Sequence, residues 1–159
     1  MNILIRKGNI DDANEIFTLI NDLAVFEQEP EAVEVTIEDI KNDGFGNQPK
    51  FEVFIAELNN SIVGMALFYY RYSTWKGKTL HLEDLIVKEV NRGKGVGKLL
   101  YNRILKYAFE QKIKRVEWAV LEWNTPAVEF YKNSGAEVFD DWRTVQMSEE
   151  QLKNYIEKL

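Results

Sequence analysis

Apolar residues recur along this chain with two different periods, and the switches between them predict its elements. Residues 3–7 begin a strand, and Ala13, Ile16, Phe17, Ile20, Leu23 and Ala24 then fall on one face of a helix that Asp11 or Asp12 would cap. Thr36-Ile37-Glu38-Asp39 has the form of a second helix start, with its stop near Gly44. Residues 51–58 and 62–72 read as strands joined by a hairpin turn at Asn59-Asn60, and residues 79–87 as a further strand. Val96, Leu99, Leu100, Ile104, Tyr107 and Ala108 return to the helical period. Residues 115–121 predict a strand rich in Val and Trp, and residues 127–134 a short helix opened by Pro126 and stopped by Gly135. Residues 137–138 and 143–147 are read as terminal strands, and Ser148 as the cap of a last helix carrying Leu152, Tyr155, Ile156 and Leu159.

The order is strand, two helices, three strands, helix, strand, helix, strands. A helix between residues 82–87 and 115–121 makes those two strands parallel through a right-handed crossover. The expectation is a mixed α/β sheet flanked by helices, in one domain spanning residues 1–159.

Composition narrows the chemistry. There is no cysteine, which excludes disulfides, thiolate metal sites and a Cys nucleophile, and His81 is the only histidine. No metal site is expected. A G-x-S-x-G nucleophile elbow is missing too, which leaves carboxylates, Tyr, Lys and backbone dipoles. The net charge of −6 argues against nucleic acid as a partner and agrees with a cationic one. No apolar run is long enough to cross a bilayer, and the first residues look like a strand rather than a secretion signal, so a cytoplasmic location is expected.

Arg92-Gly93-Lys94-Gly95-Val96-Gly97-Lys98 lies between a strand and a helix start. Glycines let backbone approach an anion closely, and the first N–H groups of the helix lack internal partners. A P-loop fails, because Arg92 stands five positions before Gly97 and Leu99 follows Lys98. The dinucleotide fingerprint fails in both frames, where Lys98 or Leu100 occupies the third glycine position. The remaining pattern is Arg-x-x-Gly-x-Gly on Arg92, Gly95 and Gly97.

That pattern resembles the pyrophosphate loop of the GNAT N-acetyltransferases, which bind acetyl-coenzyme A. Tyr69-Tyr70-Arg71, residues 73–80 and Leu82-Glu83-Asp84-Leu85-Ile86-Val87 before it, and Glu122-Trp123-Asn124-Thr125-Pro126-Ala127, Phe130-Tyr131-Lys132 and Gly135-Ala136 after it, extend the likeness. Together they are similar to the diamine (spermidine/spermine) acetyltransferase branch. The Ser73-Thr74-Trp75-Lys76-Gly77 segment is similar to its thialysine-acetylating relatives. The resemblance runs from about Ile5 to about Trp142. It implies the acyl-CoA N-acyltransferase fold, whose central parallel strands splay apart, and a homodimer.

Acetyl transfer to an amine needs a held thioester, loss of an amine proton, stabilisation of the tetrahedral oxygen and a proton for the leaving thiolate. The resemblance implies that Leu85, Ile86 and Val87 hold the pantetheine arm through their backbone. It implies that Arg92, Gly93, Lys94, Gly95, Val96, Gly97 and Lys98 hold the pyrophosphate, and that Asn124, Pro126, Ala127 and Tyr131 also contact the cofactor. Tyr131 is then the candidate acid near the sulfur, the alternative being a core tyrosine beside Phe130.

Glu83 is the candidate base, because a carboxylate inside an apolar strand is costly without a purpose; the alternative is a strand carboxylate paired with Lys or Arg. In a regular strand Asp84 would face the other side, and a bulge would bring both together. By resemblance Phe26, Glu27, Trp75, Glu83, Asp84 and Trp142 line the substrate mouth. Polyamine acetylases of this family carry Asp-Pro where this chain has Ser73-Thr74, which removes one ammonium partner and favours a thialysine-like or short diamine substrate. Trp118 and Trp123 are expected in the core, and His81 as a hydrogen-bonded strand residue. The readings are an acetyl-CoA-dependent N-acetyltransferase of a small cationic amine, an acetyltransferase of protein N-termini or lysines, and a noncatalytic acyl-CoA-binding domain.

Overall fold

The computed structural model describes residues 2–159, which fall into two compact units, Met1–Ala119 and Val120–Leu159. In the first unit the strands β1 (Ile3–Lys7), β2 (Glu52–Leu58), β3 (Ser61–Ser73), β4 (Gly77–Val87) and β5 (Val116–Glu117) form one sheet in that order. The first four are antiparallel, and β4 and β5 are parallel. The β2–β3 turn is the expected hairpin: Asn59 and Asn60 both hold positive φ, at 51° and 62°, which asparagine tolerates better than most residues.

Helices α1 (Ala13–Phe26) and α2 (Ile37–Phe45) cover one face of the sheet, where Ile16, Leu19 and Ile40 bury against Val53, Ile55, Met65, Leu67 and Ile86. Helix α3 (Val96–Glu110) covers the other face, where Val96, Leu100, Ile104 and Ala108 meet Phe54, Phe68, Leu80 and Leu82. Two apolar faces explain why the central strands are almost continuously hydrophobic. Trp118 packs at the edge of the α3-side core, its ring edge-on to Tyr101 at 5.7 Å.

The entry to α1 differs from expectation. Asn9 is the capping residue, accepting from the Asp11 N–H at 2.8 Å in front of a short 3-10 turn, Ile10–Asp12. The Asp12 carboxylate instead receives both terminal nitrogens of Arg6 at 2.7 Å and the Asn9 N–H at 2.8 Å. Arg6 also donates to Glu57 on β2, so the helix start is tied to two strands by one guanidinium. Thr36 caps α2 reciprocally with Asp39, as its sequence pattern predicts.

The strand expected over residues 115–121 shrinks to Val116–Glu117. Only Leu80↔Val116 and His81↔Glu117 pair with it, so beyond His81 β4 has no strand on that edge among the described residues. In the second unit α4 (Thr125–Asn133) starts with Pro126 in its first turn and closes with Gly135 at φ 92°, where the Ala136 N–H donates to the Tyr131 carbonyl. Ser148 caps α5 (Glu149–Ile156) reciprocally with Gln151. The terminal strands expected over 137–138 and 143–147 are not formed. An alternating pattern does not make a strand without a ladder partner, and Val145 and Met147 are exposed. Trp123 is likewise half exposed rather than core.

Asp12 is buried, and the Arg6 guanidinium holds it below the ordinary carboxylate range. A depressed carboxylate contributes stability that is present above its unfolded pKa and disappears as pH falls through its folded one. Asp12→Asn is therefore expected to cost about 1–3 kcal/mol at pH 7, shrinking below about pH 4. Urea unfolding of parent and variant at pH 7 and pH 3 measures it, and an equal cost at both values would assign the loss to shape rather than charge.

Candidate active site

Downstream of β4 a 3-10 turn, Glu89–Asn91, leads into the glycine loop. Gly93 and Gly95 hold φ of 73° and 82°, and a Cβ built on either meets no atom within 4 Å. The loop is therefore open where side chains would stand, and its glycines are required by conformation. Gly95 is the residue before α3, whose first turn carries no acidic side chain. Helix geometry leaves the N–H groups of Val96, Gly97 and Lys98 without partners four residues back, beside the positive end of the helix dipole. Arg92 Nε donates to the Val87 carbonyl at 3.0 Å and Lys94 Nζ to the Val90 carbonyl at 2.8 Å, which fixes two cations on the loop. These residues fit a diphosphate.

The preceding strand supplies a second feature. The partly buried side chains of Leu85 and Val87 pack against the α3-side core and Ile86 is buried in the α1-side core, so it is chiefly their backbone that a ligand could pair with. That backbone lies on the edge where the β5 ladder has already ended. An extended chain could pair there as an additional strand.

A bulge organises the carboxylates. Leu67 pairs with Asp84 but Phe68 pairs with Leu82, leaving Glu83 as the extra residue. Before it Leu82 belongs to the α3-side core, and after it Leu85 does, so the alternation is reset. Glu83 and Asp84 consequently share the face of α1, where both lie within electrostatic reach of Glu27, just past the end of that helix.

The two carboxylates differ in environment. Glu83 Oε2 accepts from the Tyr69 hydroxyl at 2.8 Å and lies 3.4 Å from His81 Nε2. The His81 contact and the Tyr69 hydrogen bond hold Glu83 below the ordinary range, against the opposing effect of burial. Asp84 is largely buried and has no such donors; burial, then Glu83, then Glu27 push it up to about 7. Glu27 is itself raised, by burial and by Glu83. Three carboxylates of one sign converge with unequal proton affinities, an arrangement suited to holding a cation and exchanging its proton.

Phe26, the last residue of α1, lies under the Arg92 guanidinium, 4.9 Å from ring centre to carbon. The end of α1 thus meets the glycine loop through Phe26 and the carboxylates through Glu27. Trp75 stands apart from this group. It is exposed at the tip of the β3–β4 hairpin, where Ser73 Oγ accepts from the N–H groups of Trp75 and Lys76. Along β4 the tip is about 20 Å from the bulge at ordinary strand rise. In the second unit Pro126, Ala127 and Tyr131 lie on α4 and Asn124 is the residue just before it, with Tyr131 edge-on to Phe130 at 5.5 Å; Trp142 lies beyond that helix, exposed. In the sequence, Tyr69 and Arg71 belong to the family-like segments but carry no assigned role. Their signal is period two, which places Tyr69 opposite His81 once the β3–β4 register is known.

The acetyltransferase (GNAT) family model matches residues 13–136. Thialysine N-epsilon-acetyltransferase of Bos taurus is 34% identical over 143 residues, covering 85% of this chain and 84% of that protein. Spermidine/spermine N(1)-acetyltransferase-like protein 1 of Homo sapiens is 32% identical over 93% of this chain, which corresponds to 23% of its own length. Among solved structures, an integron cassette protein from V. cholerae has the same fold, with a TM-score of 0.80 at 20% identity over 98% of both chains.

Asp84 makes a prediction about stability. A carboxyl whose folded pKa is raised binds its proton more tightly when folded, so it removes stability as pH climbs from its unfolded value toward the folded one. With Asp84 near 7 when folded, Asp84→Asn is expected to match the parent below pH 4 and to gain stability up to about pH 7, by as much as about 4 kcal/mol. Thermal midpoints across pH 4–8 test this, and a variant no more stable than the parent at pH 8 would contradict it.

Proposed function

Because the chain belongs to the GNAT acetyltransferase family, we propose that it is an acetyl-CoA-dependent N-acetyltransferase acting on a primary amine of a small cationic substrate, a diamine, a polyamine or a thialysine-like amino acid. The observation that carries the substrate class is the bulge that turns Glu83 and Asp84 toward Glu27 on one face. Three converging carboxylates, of which only Glu83 is faced by His81 and Arg71, suit an ammonium group. The acetyl relatives act on such amines by name, which supports the same reading.

The reaction is direct transfer. Acetyl-CoA supplies the activated acyl group; the amine nitrogen forms the new C–N bond as the C–S bond breaks. Gly93, Gly95 and the first turn of α3 hold the diphosphate, with Arg92, Lys94 and Lys98 adding charge. The open edge of Leu85, Ile86 and Val87 aligns the pantetheine arm, and a backbone N–H there donates to the thioester oxygen as negative charge develops. Asn124, Pro126 and Ala127 at the start of α4 complete the cofactor contacts. Glu83 anchors the ammonium and takes its proton, directly or through water, with Asp84 and Glu27 as further anchors. Phe26 covers the methylene stem; Trp75, at the tip of the β3–β4 hairpin, stands too far along β4 from the bulge to join it. Tyr131 returns a proton to the thiolate.

The chain works as a cytoplasmic homodimer, a state supported by family likeness and by the exposed Phe139, Trp142 and Val145. It takes neither nucleic acid nor membrane as a partner; the net charge, and the lack among the described residues of any helix long and apolar enough to cross a bilayer, support this.

Thiol release from acetyl-CoA in the presence of thialysine, ornithine, diaminobutane and spermidine tests the proposal. Sustained release with at least one of them is expected. Binding without release would make the chain a noncatalytic acyl-CoA domain, and release only with peptides would make it a protein acetyltransferase. Tyr131→Phe should lower kcat by about a hundredfold at unchanged acetyl-CoA affinity, whereas parent turnover would leave Tyr131 a packing residue. Gly95→Glu should weaken acetyl-CoA binding by at least about tenfold through a carboxylate in the anion cradle. Gly95→Ala controls for the strain of a side chain at φ 82°. Equal affinities in the two folded variants would place the diphosphate elsewhere.

A further inference from the structure

We propose that Tyr69 and His81 are positioning residues that fix the Glu83 carboxylate for the incoming ammonium group, and that Arg71 sets the imidazole tautomer in which His81 does so. This rests on the reading of the chain as an amine acetyltransferase, and deepens it.

Glu83 is the extra residue of a bulge and its side chain is half exposed, so its backbone alone does not fix the carboxylate. Two donors do. Tyr69, from β3, and His81, from β4 two residues before Glu83, both approach Oε2, at 2.8 Å and 3.4 Å. They are opposite one another in the β3–β4 register, with ring centres 5.2 Å apart. Oε1 is thereby left for the substrate.

The tautomer follows from the far side of the imidazole. Arg71 Nη1 lies 3.2 Å from His81 Nδ1. A guanidinium has only donors, so Nδ1 of the neutral ring must present its lone pair, and the ring hydrogen resides on Nε2, facing Glu83. Arg71 is itself held by Glu117 on β5, which also takes Arg115. Glu117 is paired in register with His81, at the last rung of the parallel ladder. The network thus runs from the end of the β4–β5 pairing to the bulge. The place where the sheet opens and the place where the carboxylate is aimed are two rungs of one strand.

The titratable and charged groups facing Glu83 are Tyr69 and Arg71 on β3, His81 and Asp84 on β4 and Glu27 after α1. Burial and the Glu83 hydrogen bond push Tyr69 up to about 12, so it remains a donor through any working pH. Both donors favour the ionised carboxylate, and their loss should make Glu83 easier to protonate.

Tyr69→Phe and His81→Leu test this in the full chain. Each should raise the amine KM by about tenfold or more, leave the acetyl-CoA KM unchanged and move the acid limb of kcat/KM to higher pH. His81→Gln, whose amide keeps a donor near the Nε2 position, should recover most of the loss. A carboxyl-carbon NMR titration of Glu83 should move upward in both single variants. Folded variants with parent KM, parent acid limb and an unmoved Glu83 titration overturn the proposal. A parent inactive on every amine would overturn the acetyltransferase reading instead, while the Glu83 titration alone would still decide whether Tyr69 and His81 hold the carboxylate.

Discussion

One extra residue in β4 governs the site. Without the bulge at Glu83, strand alternation would place Asp84 on the α3 side with Leu82, and Leu85 and Val87 on the α1 side. That register would bury a carboxylate among Leu100 and Ile104, at a cost of several kcal/mol. The extra residue avoids this by turning both carboxylates to the α1 face and returning Leu85 and Val87 to the α3 core. The same strand loses its parallel partner after His81, so backbone opens on its edge next to the carboxylates. Carboxylates, open strand edge and glycine loop then follow one another along a single stretch of chain.

The two carboxylates illustrate how neighbouring residues acquire different chemistry. Glu83 has donors and stays ionised, while Asp84 is buried beside two other acids and holds its proton to about neutral pH. An ammonium group entering between them would relieve the repulsion that raises Asp84 and Glu27. Mutual repulsion of these carboxylates is thus a stability cost that a bound cation would offset. Neutral amines and carboxylates gain nothing from this arrangement.

Much of the scaffold was legible because local chemistry and tertiary structure agree. Asn59-Asn60 adopts the positive φ its turn requires, Thr36 and Ser148 cap their helices, and α3 follows its apolar spacing. The failures share a cause, which is that partners are not written in a strand's own residues. The segment at 115–121 looks like a full strand, yet only two of its residues find a ladder, and those at 137–138 and 143–147 find none. The bulge was open as an alternative, but its position depends on how β3 meets β4. Glu83 and Asp84 stood out as acids in an apolar run, whereas Tyr69 and Arg71 look like ordinary strand residues until the register sets them beside His81. Only family likeness points to Trp75, and the hairpin carries it to a tip away from the bulge.

The central claim is that the carboxylates around the bulge select a cationic amine for acetylation. Its most direct measurement is the ratio of kcat/KM for 1,4-diaminobutane to that for butylamine, which has the same reacting amine and chain length but lacks the second ammonium. A strong preference for the diamine is expected, about tenfold or more, fading when salt is raised. Equal values for the two amines, independent of salt, would contradict it.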